Sequence, residues 1–359
     1  MKKNVNNMDI LPRYKFLLVL LVTLSTFTAG CQPAPAPVER KDTTLAFGTF
    51  VETTLIGVTE QEQALIMKTI NEKLEYYHYA FHPWKAGPTG RTNQLLAAAG
   101  EFSTIPSLLP LLEQSQLLYR QSNGLFNPAI GKLMALWGYH EEIPSDGPPP
   151  DEESIQAILD QKPRMDDLTI KGVRITNTNP AVQLDFGAVA KGYVLDILMQ
   201  DLQSMGVKNA IINTGGDLKV LGSHVDRPWR IAIRHPRQSG LLASLDVADG
   251  EAVFTSGDYE RYYEYEGKRY HHILDPRSGY PADQVQSVTV IHTNGAVADA
   301  AATALFVAGP EQWLETARNM GIKQAMLVDK SGTVHITDAM HQRIHFEQPD
   351  LDIKVIATP

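Results

Sequence analysis

Between Leu168 and His292 the chain keeps breaking into short segments of alternating or β-branched character, and this rhythm sharply narrows the choice of fold. Strands are predicted at 168–176, 181–185, 210–213, 218–222, 229–233, 243–247, 251–256, 261–265 and 286–292, with a helix between them at 189–205. Such a succession predicts an α+β architecture, a mainly antiparallel sheet with packed helices, rather than the regular strand–helix alternation of a Rossmann domain. The 359 residues, 43% apolar and 20% charged, suffice for one large domain or two moderate ones. A formal net charge of −9 argues against a broad nucleic-acid-binding face, so nucleic acid is not expected as a partner. It leaves room for a local basic pocket around Lys191, Lys208 or Arg277.

The N-terminal half adds helices. Residues 45–58 read as one strand bent at Gly48, followed by helical spacing over 60–77. Residues 107–122 place Leu108, Leu111, Leu112, Leu117 and Leu118 on a broad apolar stripe, a core-facing helix stopped by Ser122-Asn123-Gly124. Leu125-Phe126-Asn127-Pro128 opens a turn before another helix through Trp137, and the acidic, Pro-rich excursion at 141–152 reads as a surface loop. Helices at 299–307 and 310–320 precede two terminal strands. Residues 341–359 form a tail that either closes the sheet or covers a neighbouring element.

At the N-terminus, Lys2, Lys3, Arg13 and Lys15 precede an apolar run from Phe16 to Leu24 and then small residues ending at Gly30. This is the layout of an export signal, because the run falls short of the roughly 20 residues a membrane span needs. Thr28-Ala29-Gly30-Cys31 resembles a bacterial lipobox, with Thr28 where Leu is usual, and Cys31, the only cysteine, is the expected lipidation site. Residues 1–30 are thus expected to be a lipoprotein signal peptide and the Pro-rich residues 31–44 a tether for a domain spanning 45–340.

The densest chemistry lies in DFGAVAKGYVLD, Asp185 to Asp196, where an acid, a turn of small residues and a lysine enter a helix. Backbone N–H groups at a helix start favour anions, Gly187 and the alanines admit close approach, and Lys191 can neutralise a phosphate oxygen. In ADAAATALFVAG, residues 298–309, Asp299 and Thr303 are four apart and share a helix face. Both present hard oxygens to one point, which suits Mg²⁺ with phosphate and water completing its shell. Taken alone, Asp299 serves as well as a helix-start residue. Asp275-Pro276 and Ser278-Gly279 mark a turn, and on a strand His271 and His272 point to opposite faces, so only one can look into a pocket. NTGGD, residues 213–217, is either a tight strand connection or a binding turn, with Asn213 able to cap and Asp217 able to accept backbone hydrogen bonds. The sequence has no HExxH, paired cysteines, P-loop, G-x-S-x-G elbow or dinucleotide fingerprint.

Taken in order, FGTFVETTLIG, SNGLFNP with ALWGY, DFGAVAKGYVLD, INTGGDLKVLG, TSGDYERYYEYEGKRYHHILDPRSGYP and ADAAATALFVAG resemble the ApbE family of flavin transferases over residues 47–309. The resemblance implies a T-fold-like domain and an exported, Mg²⁺-dependent enzyme that moves the FMN half of FAD to a threonine or serine hydroxyl of another protein, with AMP leaving. Implied acceptors are subunits of membrane electron-transfer complexes, such as the sodium-translocating quinone reductase (Nqr) and the Rnf complex. That agrees with a protein lipid-anchored to a bacterial membrane and facing the periplasm.

The resemblance further implies Mg²⁺ ligands at Asp299, Thr303 and the Ala188 carbonyl, and a flavin pocket of Phe47, Trp84, Leu125, Phe126, Asn127, Asp185, Lys191 and Ile273. Phe47 and Trp84 stand where the family often has Met and a stacking Tyr, and Asn127 where Asp is common. His272 aligns with the family's His before Ile-x-Asp-Pro and is expected to activate the acceptor hydroxyl or steady the pyrophosphate, with Asp217 and Asp185 as other candidate bases. Lys191 is expected to offset negative charge as AMP departs. With water in place of the hydroxyl the same site would be an FAD hydrolase, and with no turnover a flavin-binding lipoprotein.

Overall fold

The computed structural model describes residue 1, residues 37–141 and residues 147–359, so the export signal, Cys31 and the first part of the tether lie outside the described residues. Nine strands build the main sheet, and their spatial order is their chain order. They are β1 (Glu39–Ala46), β2 (Thr49–Ile56), β3 (Asn209–Thr214), β4 (Asp217–Leu221), β5 (Ala252–Gly257), β6 (Val285–His292), β7 (Gln324–Asp329), β8 (Val334–Thr337) and β9 (Ile353–Ile356). Neighbours run antiparallel except β8 and β9, which are parallel. The mainly antiparallel sheet with packed helices that the strand rhythm predicts is the architecture observed.

Both faces of this sheet are covered, which is why a central strand such as β6 is buried at nearly every position. Ala252, Phe254, Val288, Val290 and Leu327 pack under three long helices, α1 (Glu60–Phe81), α2 (Ala190–Ser204) and α3 (Gly295–Asn319). Val220, Val253, Ile291, Met326 and Val328 pack on the other side against a three-stranded sheet made of Trp229–Arg234, Leu241–Val247 and Ile344–Phe346. Alternate residues of each strand serve alternate faces, so one strand feeds two cores. A reciprocal cap opens α1, where Glu62 N donates to Thr59 Oγ1 at 3.2 Å and Thr59 N to Glu62 Oε2 at 2.7 Å. The two helices expected at 299–307 and 310–320 are one element broken at Gly309 (φ 72°), just before Pro310.

Several boundaries differ from expectation. The strand expected at 168–176 is a hairpin, Leu168–Lys171 and Arg174–Asn177, set in a separate small sheet with Gly100–Ser103, and 181–185 joins no strand, Gln183 making a single bridge to Ile130. Residues 45–58 are a hairpin and not one bent strand: Phe47 (φ 53°) and Gly48 (φ 71°) reverse the chain and set Ala46 opposite Thr49. A two-residue hairpin favours two left-handed residues, and a Phe in that conformation runs against propensity. Its N–H is taken by His78 Nδ1 at 3.1 Å. The tether expected to reach Thr44 gives way to β1 at Glu39, since every residue from Glu39 to Ala46 pairs with β2. The tail closes both sheets, supplying Ile344–Phe346 to the smaller and β9 to the larger, and is continuous with the domain rather than appended to it.

Candidate active site

Two glycines set the geometry on which the site is built. A Cβ on Gly192 would lie 2.1 Å from the Gly295 carbonyl oxygen, and one on Gly295 would lie 2.6 Å from that of Gly192, so α2 and α3 touch backbone to backbone. Asp196, one turn further along α2, accepts from Gly295 N at 2.8 Å and Ala296 N at 3.3 Å and pairs with Lys219 at 2.5 Å. It thereby satisfies donors that the start of α3 leaves open. In the other direction Gly192 N donates to Asp299 Oδ2 at 3.0 Å. The crossing brings Lys191 and Asp299 together from distant parts of the chain.

Beside this crossing lies a cavity of about 600 Å³. Its wall includes Ala188 and Lys191 at the start of α2, Gly215–Asp217 in the β3–β4 turn, Asp299 and Thr303 on α3, Phe47 from the β1–β2 turn, Leu125–Asn127, and His272 with Ile273. Asp185 lines it too. Every residue expected at the site therefore meets this one space, Trp84 excepted. Trp84 is outside the lining, its ring edge-on to His140 at 5.6 Å, and the aromatic rings that do reach the cavity are Phe47, Phe126 and Tyr259.

The turn at NTGGD is a tight strand connection, and its Asp217 also lines the cavity. Gly215 and Gly216 take positive φ, Asn213 Oδ1 accepts from Gly216 N at 2.8 Å, and Asp217 emerges aimed at the cavity. Asp217 Oδ1 accepts from Thr255 N at 2.9 Å, while Oδ2 is ion-paired with Lys191. Burial works to lower the Lys191 ammonium, yet the carboxylates of Asp217 and Asp299 prevail and hold it above its ordinary value. Asp299 is pushed up to about 7 by burial, with Asp217 adding to the effect and Lys191 opposing it. Burial also raises Asp185, against the pull of a 2.8 Å hydrogen bond from Gly187 N and of Arg261. Two carboxylates thus share one ammonium in a mostly buried corner, a formal excess of negative charge.

The paired histidines part at a strand end, His271 closing the strand Lys268–His271 and His272 lying in the bend just beyond it. His271 is buried, its Nε2 2.9 Å from Ala282 O and its ring edge-on to Phe306. His272 faces the cavity, with Nδ1 3.1 Å from the Arg261 carbonyl. A carbonyl only accepts, so Nδ1 carries the proton and Nε2 keeps its lone pair. Burial first, then the neighbouring His271, lowers His272 to about 3, so the ring is neutral at pH 7. Thr303 Oγ1 lies 3.2 Å from Ser256 Oγ on β5. Asp275 makes the turn expected of it, accepting from Arg277 N at 2.8 Å.

A family model for the ApbE family matches residues 47–327. The chain belongs to the ApbE family. It is 40% identical over 311 residues to an FAD:protein FMN transferase of Rhodobacter capsulatus, covering 87% of this chain and 59% of that protein. It is 31% identical over 268 residues to an FAD:protein FMN transferase of Vibrio cholerae, covering 73% of this chain and 77% of that one. Among solved structures, the ApbE protein of Thermotoga maritima matches with a TM-score of 0.77 at 28% identity, over 87% of this chain and all of the other. The Pseudomonas stutzeri flavinyl transferase ApbE matches with a TM-score of 0.75 at 28% identity, over 89% of this chain and 100% of that one.

One wall of this ApbE cavity went unforeseen. Ile231–Arg234 and Tyr259–Arg261 line it, with Arg234 over the Tyr259 ring at 4.7 Å and ion-paired with Glu260. Residues 229–233 and 261–265 read from the sequence as strands, and neither periodicity nor residue type marks a strand edge as part of a pocket. Among the described residues no three His, Cys, Asp or Glu side chains gather as a metal cluster. The expected Mg²⁺ set is of another kind, one carboxylate, one hydroxyl and one backbone carbonyl, and a buried carboxylate at Asp299 that Lys191 and Gly192 N offset only in part suits a divalent cation that also binds substrate phosphates.

Proposed function

We propose that this chain transfers FMN from FAD to a threonine or serine hydroxyl of an acceptor protein and releases AMP, in a reaction that requires Mg²⁺. The observation that carries the reading is the meeting of Lys191, Asp185, Asp299, Thr303 and His272 around one cavity of about 600 Å³, a size that suits a nucleotide. Asp299, Thr303 and the Ala188 carbonyl would hold the cation, which when bound polarises the phosphoryl oxygens and screens their charge. Lys191, released in part from Asp217, neutralises charge on the pyrophosphate as the bond to AMP lengthens.

The acceptor oxygen attacks the FMN-side phosphorus, forming a phosphoester as the bridging bond to the AMP phosphate breaks. His272 Nε2 takes the hydroxyl proton, and the negative pyrophosphate beside it raises the ring's basicity above that of the empty site. The electron pair of the broken bond leaves with AMP. Acceptors are electron-transfer subunits of the sodium-translocating quinone reductase or Rnf type, and the enzyme meets them at a membrane face after export and lipidation at Cys31.

The test follows AMP and acceptor-bound FMN together, with FAD, Mg²⁺ and an acceptor subunit of the quinone reductase. Transfer predicts one AMP per FMN attached and loss of both signals with chelator. AMP accumulating with free FMN would replace transfer by hydrolysis, and turnover indifferent to chelator would remove the metal from the account.

A further inference from the structure

The unforeseen wall has a feature that chemistry on FAD alone does not require. Ile231, Ala232, Ile233 and Arg234 all line the cavity in succession. Successive residues of a strand point to opposite faces, and here Ile231 and Ile233 pack into the core between the two sheets while Ala232 and Arg234 are exposed on the other side. Four consecutive residues can meet one cavity only along the strand's edge. Trp229–Arg234 is indeed an edge strand, paired on one side with Leu241–Val247 and with no strand on the other among the described residues. Every second residue therefore points its N–H and C=O out from the sheet toward the cavity side.

We propose that this edge is the docking site of the acceptor, an extended serine- or threonine-bearing segment that adds as a fourth strand beside Trp229–Arg234. The inference rests on the transferase reading. A serine or threonine hydroxyl stands only two bonds from the backbone, so the acceptor main chain must itself come close to the phosphorus. A main chain entering such a mouth leaves water and needs partners for its N–H and C=O groups. A free strand edge in the wall supplies them in register, with affinity from the main chain and specificity from alternate side chains. Arg230, exposed along the same strand and donating to Ser244 Oγ at 3.2 Å, favours an acidic residue flanking the incoming hydroxyl, whereas Arg234 is already ion-paired with Glu260.

Hydrogen exchange on the full chain with FAD and Mg²⁺, with and without saturating quinone-reductase acceptor subunit, tests this beside the acceptor's mass. The expected result is FMN attachment together with at least a tenfold slowing of amide exchange within Trp229–Arg234, and no slowing in β1, one of the two edge strands of the main sheet. Attachment with unchanged exchange at Trp229–Arg234 overturns the docking site and leaves the transferase standing. Absence of attachment, with AMP and FMN released, overturns the transferase reading and the docking site with it.

Discussion

At the level of single residues, the site keeps charges that a stability-optimised interior would shed. Asp299 is raised from the ordinary carboxylate range to about 7, so the fold favours its protonated form and the metal-free protein loses stability as pH rises through that window. Asp299→Asn keeps an acceptor for Gly192 N, and the metal-free variant should melt higher than the parent at pH 8, the gap closing toward pH 4; an equal or lower melting temperature at pH 8 contradicts the burial argument. His272 has the opposite sign. Its value falls from about 6.5 unfolded to about 3 folded, so unfolding takes up a proton between them and stability is lost as pH drops through that range. Below pH 6.5 the parent should lose stability faster than His272→Gln, by up to about 1.4 kcal/mol per pH unit, in denaturant titrations; parallel curves would refute it. Much at this scale was legible. Four-residue spacing put Asp299 and Thr303 on one face because helix geometry is local, whereas His271 and His272 part at a strand end, with His272 in the bend beyond it. The excess negative charge around Lys191 was not legible, since Asp217 and Asp299 reach it from separate elements.

Among the elements, the crossing of α2 and α3 decides whether the site exists. Gly192→Ala forces a methyl group onto the Gly295 carbonyl, and overpacking of this kind costs about 1–3 kcal/mol. Because Lys191 and the Asp299 hydrogen bond sit on that contact, the same change should lower transfer well beyond what the lost stability explains. Equilibrium unfolding and turnover measured on one sample decide it; a variant destabilised but fully active when folded would detach the crossing from catalysis. The helices themselves were readable from apolar spacing, and the break at Gly309-Pro310 from residue type. The β1–β2 hairpin was not, because its turn places Phe47 in a left-handed conformation that sequence rules reserve for Gly or Asn. The same error lengthened the tether, since a polar, Thr-rich stretch such as ERKDTTLA reveals its strand only beside β2. Trp84, a residue type suited to stacking, lies outside the cavity lining with its ring against His140, a placement that residue type does not reveal.

For the molecule as a whole, one main sheet carries two cores, and the chain's last residues are needed by both layers of sheet. Deleting 341–359 removes β9 and Ile344–Phe346 together, uncovering Ile336 and Leu245, and should lower the unfolding midpoint and broaden the transition; an unchanged transition would make the tail dispensable. Strand order along the sheet follows chain order, which is why the rhythm of the sequence conveyed the architecture, whereas the smaller sheet joins the consecutive strands Trp229–Arg234 and Leu241–Val247 to Ile344–Phe346 from the far end of the chain, a partner that no local pattern reveals. The central claim is that the cavity between these layers attaches FMN to another protein. Its most direct test is the intact mass of a quinone-reductase acceptor subunit after incubation with the enzyme, FAD and Mg²⁺, beside Asp299→Ala and a chelated sample. The account predicts a gain equal to FMN less one water, present with the parent enzyme and lost in both controls. An acceptor of unchanged mass while FAD is consumed would contradict it.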